Sequence, residues 1–108
     1  MQKKHTMTMH MFKKTMAKQL IDSLPQHLVE RQINILEIGC GSGYLTQLLC
    51  KAFPKARILA IDLAPGMIDV AQERIQEERV TFFYAVILRK SFLLAAMTLF
   101  FQTQPFNG

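Results

Sequence analysis

The stretch Glu37-Ile-Gly39-Cys-Gly41-Ser-Gly43 places three of the chain's five glycines within five positions, directly behind an apolar run. In a strand-to-helix turn, glycine takes positive φ readily and lets a ligand approach without meeting a Cβ. Amides at the start of the following helix favour negative charge or electron-rich groups. Two familiar nucleotide-binding signatures fit poorly. The phosphate-cradling loop requires a lysine after its last glycine, and none follows Gly43. The dinucleotide fingerprint requires a third small residue at position 44, which is Tyr44 here. Nineteen residues beyond Gly43, Asp62 ends the run Ile58-Leu-Ala-Ile-Asp62, where a carboxylate can accept ribose hydroxyls.

The elements that must position these groups are legible from periodicity. Phe12, Met16, Leu20 and Leu24 recur every four residues, with Ala17 and Ile21 beside them, and predict a helix that Pro25 closes. Residues 33–38 form a short β-branched run, predicted as a buried parallel strand. From Ser42 the spacing returns to helical through Leu45, Leu48, Leu49 and Phe53, until Pro54. Arg57 to Leu63 reads as a second buried strand, and Pro65 opens a helix carrying Met67, Ile68, Val70, Ala71 and Ile75. Val80 to Tyr84 is a third strand. A helix followed by βαβαβ predicts an α/β fold, half of a doubly wound sheet. Three stretches follow: a basic, methionine-rich arm at 1–11, a ligand-binding half-domain at 12–84, and an apolar tail at 85–108 with no clear period or cap.

Glu37-x-Gly39-x-Gly41-x-Gly43 with Asp62 in register resembles motif I and the second-strand acid of the class I S-adenosylmethionine-dependent methyltransferases. The resemblance implies the amino-terminal part of a Rossmann-like methyltransferase fold, an incomplete sheet with parallel strands in the order 3-2-1, and S-adenosylmethionine as cofactor. Two carboxylates and a bare turn also make chemical sense around a sulfonium ligand. By the resemblance, Gly39, Cys40 and Gly41 border the methionine end of the cofactor, Glu37 organises the turn, and Gly43 allows tight helix–strand packing. Asp62 takes the ribose diol, and Leu63 and Met67 flank the adenine, although the serine common between them is Ala64 here. No catalytic residue and no metal ligand is implied.

Residues 12–24, 35–49, 53–72 and 80–84 resemble a narrower family, the malonyl-acyl-carrier-protein O-methyltransferases of biotin synthesis. That family caps a free malonyl carboxylate, so malonyl-acyl-carrier protein becomes the implied partner. Two departures stand out. The tyrosine-containing segment that usually precedes the first helix is replaced by Thr6-Met-Thr-Met-His-Met-Phe12. The acid that usually follows the third strand is missing, since no Asp or Glu occurs from Thr81 to Gly108. The loss of acids and of periodicity at one point leads to the expectation of a truncated or frameshifted relative whose native reading ends near Tyr84. The first strand would then be an apolar sheet edge, open to self-association or to cover by the tail. The alternatives to a malonyl-acyl-carrier-protein enzyme are a cofactor-binding fragment or interaction module without turnover, and a methyltransferase with another small-molecule acceptor.

Composition limits other readings. A chain of 108 residues with half of them apolar is sized for one small core. The net charge of +5 is scattered except at Lys3, Lys4, Lys13 and Lys14; such an arm could touch nucleic acid or an acidic protein, but a solvated helix face is the preferred reading and nucleic acid is not an expected partner. Nor is a membrane, since the longest uncharged apolar stretch, Ser91 to Phe101, is too short to span one. Two cysteines and no visible signal peptide lead to a cytoplasmic expectation. Cys40 lies beside a helix start, which lowers a thiol pKa, yet no histidine is near it in sequence and a packing role is favoured. Met7, Met9 and Met11 with His5 and His10 could hold Cu(I), but a fraying terminus is the simpler reading.

Overall fold

Alternating apolar strands and amphipathic helices build a three-stranded parallel sheet with helices on both faces, as seen in a computed structural model that describes residues 9–86 and 89–103. The elements are α1 (Met9–Ser23), β1 (Asn34–Ile38), α2 (Tyr44–Ala52), β2 (Arg57–Asp62), α3 (Pro65–Arg74), β3 (Val80–Tyr84) and α4 (Lys90–Thr103). The sheet order is β1-β2-β3, so the 3-2-1 arrangement is present. Asn34 pairs with Arg57 and Ile38 with Ile61, while Ile58 pairs with Val80 and Asp62 with Tyr84. Helix α1 starts at Met9, so the last residues of the sequence-defined arm are helical. The remainder of the proposed copper set, with Lys3 and Lys4, lies outside the described residues.

The central strand carries the fold. Ile58, Leu59, Ala60 and Ile61 are all buried, because β2 is covered by helices on both faces and by a strand on each side. On one face Ile58 and Ala60 pack with Leu49, Cys50 and Phe53 of α2 and its end, and with Ile68 and Ile75 of the α3 region. On the other face Leu59 and Ile61 pack with Ala96 and Phe100 of α4. β1 is not the buried strand its composition predicts. It stands at the edge, as the expectation of an incomplete sheet has it, and Leu36 and Ile38 are 36% and 50% exposed.

The tail forms α4, an element that no sequence signal announced. Its helical period is hidden because apolar residues also occupy its outer side, where Leu94 and Leu99 are exposed. Phe92 meets Phe83 edge-on at 6.5 Å, and the Arg57 guanidinium lies 4.8 Å from the centre of the Phe100 ring. The helix therefore covers a face of the sheet, while the β1 edge stays exposed.

In α1 the buried face is Ala17, with Ile21 and, just past the helix end, Leu24 packed against the core. A spacing of four drifts around a helix by about 40° per step, since a turn takes 3.6 residues. Met16 and Leu20 therefore fall off the core face and are half exposed.

Candidate functional site

Ile38 ends β1, and the chain then turns through three glycines, all with positive φ: 81° at Gly39, 55° at Gly41 and 91° at Gly43. The reasons for the three differ. A Cβ on Gly39 or Gly41 would meet nothing within 4 Å, so both border open space. A Cβ on Gly43 would lie 3.1 Å from the Ala71 Cβ and 3.3 Å from the Ile75 Cδ1. Gly43 thus serves close packing of the α2 start against α3, which corrects the helix–strand contact inferred from sequence.

The turn's amides are already committed. Gly39 and Cys40 both donate to the Ile61 carbonyl, at 2.6 and 3.1 Å, and Gly43 donates to the Cys40 carbonyl at 3.0 Å. Gly41 donates to Asp62 Oδ2 at 2.8 Å, and Ala64 donates to Asp62 Oδ1 at 2.9 Å. The outward-pointing amides anticipated for this turn are therefore satisfied at these four positions, and Asp62 itself ties the turn to β2. Asp62 is not the cap residue of α3, a position held by Ala64. Each carboxylate oxygen retains a further lone pair, since one oxygen can accept two hydrogen bonds.

Glu37 lies beneath the turn and is 7% exposed. Its Oε1 accepts from the Thr46 hydroxyl in the first turn of α2. Its Oε2 is buried without a hydrogen-bond partner among the described residues. Burial pushes the carboxyl above its ordinary value of 4.5, and the Thr46 bond opposes this. Thr46, fully buried and essential to this arrangement, carried no sequence signal as a site residue.

Burial, reinforced by the Glu37 and Asp62 carboxylates, pushes the Cys40 thiol up to about 12, which disfavours the thiolate a nucleophile needs and supports a packing role. Cys50 is buried in the core and its thiol is likewise pushed up to about 12, first by burial and then by Glu77.

A cavity of about 520 Å³ opens on the turn, lined by Gly39, Cys40, Gly41 and Tyr44 on one side and by Met16 and Leu20 of α1 on the other. Asp62, Leu63 and Met67 do not line it. They sit where β2 gives way to α3, with Leu63 and Met67 about half exposed. The carboxyl ends of the strands are where open α/β sheets bind ligands. Met16, Leu20 and Tyr44 were missed from sequence; only the drifting stripe in α1 hinted at the first two. Among the described residues no cluster of three or more His, Cys, Asp or Glu could hold a metal ion. Nor is any helix among them long and apolar enough to cross a membrane.

An orphaned buried carboxylate oxygen, a second carboxylate with lone pairs to spare, and two glycines facing open space fit a ligand with positive charge and hydroxyls. They suit a phosphate badly, because four amides of the turn are already bonded and both nearby acids would repel it.

Residues 35–105 match a family described as a methyltransferase domain. The chain is 57% identical over 68 residues to a malonyl-[acyl-carrier protein] O-methyltransferase of Priestia megaterium, which covers 63% of this chain and 25% of that protein. It is 51% identical over 69 residues to the enzyme of the same name from Acetivibrio thermocellus, covering 64% of this chain and 24% of that one. Among solved structures, the S-adenosylmethionine-dependent methyltransferase SibL in its apo form superposes with a TM-score of 0.59 at 27% identity, over 71% of this chain and 23% of SibL. The chain spans about a quarter of the length of the curated relatives it matches.

Proposed function

Because this chain belongs to the methyltransferase domain family, we propose that it forms the cofactor half-site of a malonyl-acyl-carrier-protein O-methyltransferase acting in biotin synthesis. The fold is that of an S-adenosylmethionine-dependent methyltransferase, and S-adenosylmethionine is the cofactor. The observation that carries the reading is the turn itself, whose amides are bonded internally and whose two neighbouring charges are carboxylates. Such a turn favours a cation.

In this proposal Gly39 and Gly41 leave room for the methionine end, and the Cys40 backbone shapes the turn beside it. Asp62 holds the ribose hydroxyls while continuing to brace Gly41. Leu63 and Met67 offer an apolar bed for the adenine. Glu37 supports the turn from below through Thr46, and Gly43 fixes α2 against α3. When bound, the cofactor supplies an electrophilic methyl group. No base from this chain is needed for a carboxylate acceptor, which brings its own lone pair, so positioning is the protein's main contribution.

A second reading is favoured by one specific feature: no Asp or Glu follows Glu78. On that reading the chain binds the cofactor without turnover. Calorimetric titration with S-adenosylhomocysteine, with NADH as control, tests the half-site. Micromolar binding of the first alone supports it, and no binding overturns it. Mass-spectrometric detection of a methylated malonyl thioester then separates enzyme from non-catalytic module.

A further inference from the structure

The two helices that flank the glycine turn also form a second groove, of about 600 Å³, on the outer side of Tyr44. Lys14 and Lys18 of α1 and Lys51 of α2 line it, against a single acid, Asp22. All three lysines are exposed, and none is paired with a carboxylate among the described residues. The Lys14 ammonium lies 5.6 Å from the centre of the Tyr44 ring, and Ile21, Leu48 and Ala52 provide apolar lining. Lys51 sits in the last turn of α2, where a cation complements the helix dipole. Lys14 and Lys18 have no such duty, yet they stand four residues apart on one side of α1 and add to the same field.

Tyr44 lines both this groove and the cavity at the glycine turn. Tyr44 is therefore the side chain that separates a ligand seated on the lysines from the turn. We propose that the α1–α2 groove docks an acidic face of the protein that carries the acyl substrate, so that the tethered acyl group reaches the glycine turn past Tyr44. Charge complementarity selects the occupant: three unpaired cations around a partly apolar floor fit a carboxylate-bearing protein helix. Rim charges of this kind act on encounter and on salt dependence more than on the chemistry. The inference rests on the proposed function only for the identity of the carrier; the basic groove is a property of the fold.

The test uses the full chain and malonyl-acyl-carrier protein, followed by fluorescence anisotropy of the labelled carrier. The unaltered chain should bind the carrier at low salt and lose it as salt is raised. The triple reversal Lys14→Glu, Lys18→Glu, Lys51→Glu should weaken carrier binding about tenfold or more. A triple Gln variant should fall between the two. Circular dichroism reads the fold of each variant, and S-adenosylhomocysteine affinity should be the same in all. Equal carrier binding by all forms, or no binding by the unaltered chain, overturns the docking surface. So does tighter binding of random-sequence duplex DNA than of the carrier, which would assign the lysines to phosphate. Loss of S-adenosylhomocysteine binding in every form would instead sink the cofactor half-site, and carrier binding would still read the groove independently.

Discussion

Alanine at Gly41 and alanine at Gly43 should fail in different ways, although the two glycines are separated by one residue. Both have positive φ, 55° and 91°, so each substitution carries a backbone cost of about 1–2 kcal/mol for a left-handed residue with a Cβ. At Gly41 nothing lies within 4 Å of the new methyl, and the cost ends there. At Gly43 the methyl meets the Ala71 Cβ at 3.1 Å, the Ala71 Cα at 3.2 Å and the Ile75 Cδ1 at 3.3 Å. Two of those atoms belong to a fully buried residue of α3 that has no free rotor to swing aside. Overpacking of that kind adds about 1–3 kcal/mol. Gly43→Ala should therefore cost about 3 kcal/mol in all, and Gly41→Ala about 1 kcal/mol. In a domain of this size, each 1 kcal/mol moves the melting temperature by roughly 4–8 °C. Differential scanning calorimetry should place Gly43→Ala at least 8 °C or so below Gly41→Ala. Titration with S-adenosylhomocysteine should show the reverse order: Gly41→Ala loses affinity about tenfold because its methyl enters ligand space, while folded Gly43→Ala binds nearly normally. Equal melting temperatures would refute the packing argument. Unchanged affinity in Gly41→Ala would refute the ligand space.

Three other outcomes follow from the same geometry. Glu37 has a raised pKa in the folded state, so its ionisation costs stability as pH rises from about 4.5 through the folded value; below that range the group is neutral in both states and the cost is absent. Glu37→Gln should accordingly be at least as stable as the unaltered chain at pH 7, with the difference vanishing at low pH in urea melts, and it should bind S-adenosylhomocysteine less tightly; a variant that is less stable at pH 7 and gains nothing from acid would contradict the burial argument. Arg79 donates to the Phe53, Ala56 and Cys50 carbonyls at 2.8, 3.0 and 2.7 Å and so closes the end of α2; Arg79→Met should cost about 2–3 kcal/mol, seen as a lower urea midpoint at unchanged slope. The exposed β1 edge, with Leu36 and Ile38 open to solvent, is proposed to pair copies of the chain; Ile38→Lys should lower the sedimentation-average mass at high concentration, and an unchanged mass would remove the edge from consideration.

Much of the site was legible in order but not in duty. Glu37, the three glycines and Asp62 stand where the motif places them, because a strand ending in glycine and a second strand ending in an acid are local patterns. The sequence did not reveal that Asp62 spends hydrogen bonds on Gly41 and Ala64, or that Gly43 answers to Ala71 rather than to a strand. Both depend on where α3 lies. Burial, with the Glu37 and Asp62 carboxylates beside it, sets the Cys40 thiol above its ordinary value, opposite to the direction that its position beside a helix start predicted.

The parallel strands and the first three helices were determined by the sequence alone, through hydrophobic period and proline and glycine punctuation, while the 3-2-1 order came from the resemblance of the glycine turn and its acid to a known family. The tertiary structure alone decided which side of each element is used. It turned Met16 and Leu20 off the core and toward the glycine turn, and drew the aperiodic tail into a helix held by Leu59, Ile61 and the Arg57–Phe100 contact. The division has one physical cause. Local patterns fix what a segment is by its own dihedral and burial periods, whereas the partner that a face meets is set by contacts between segments far apart in the chain.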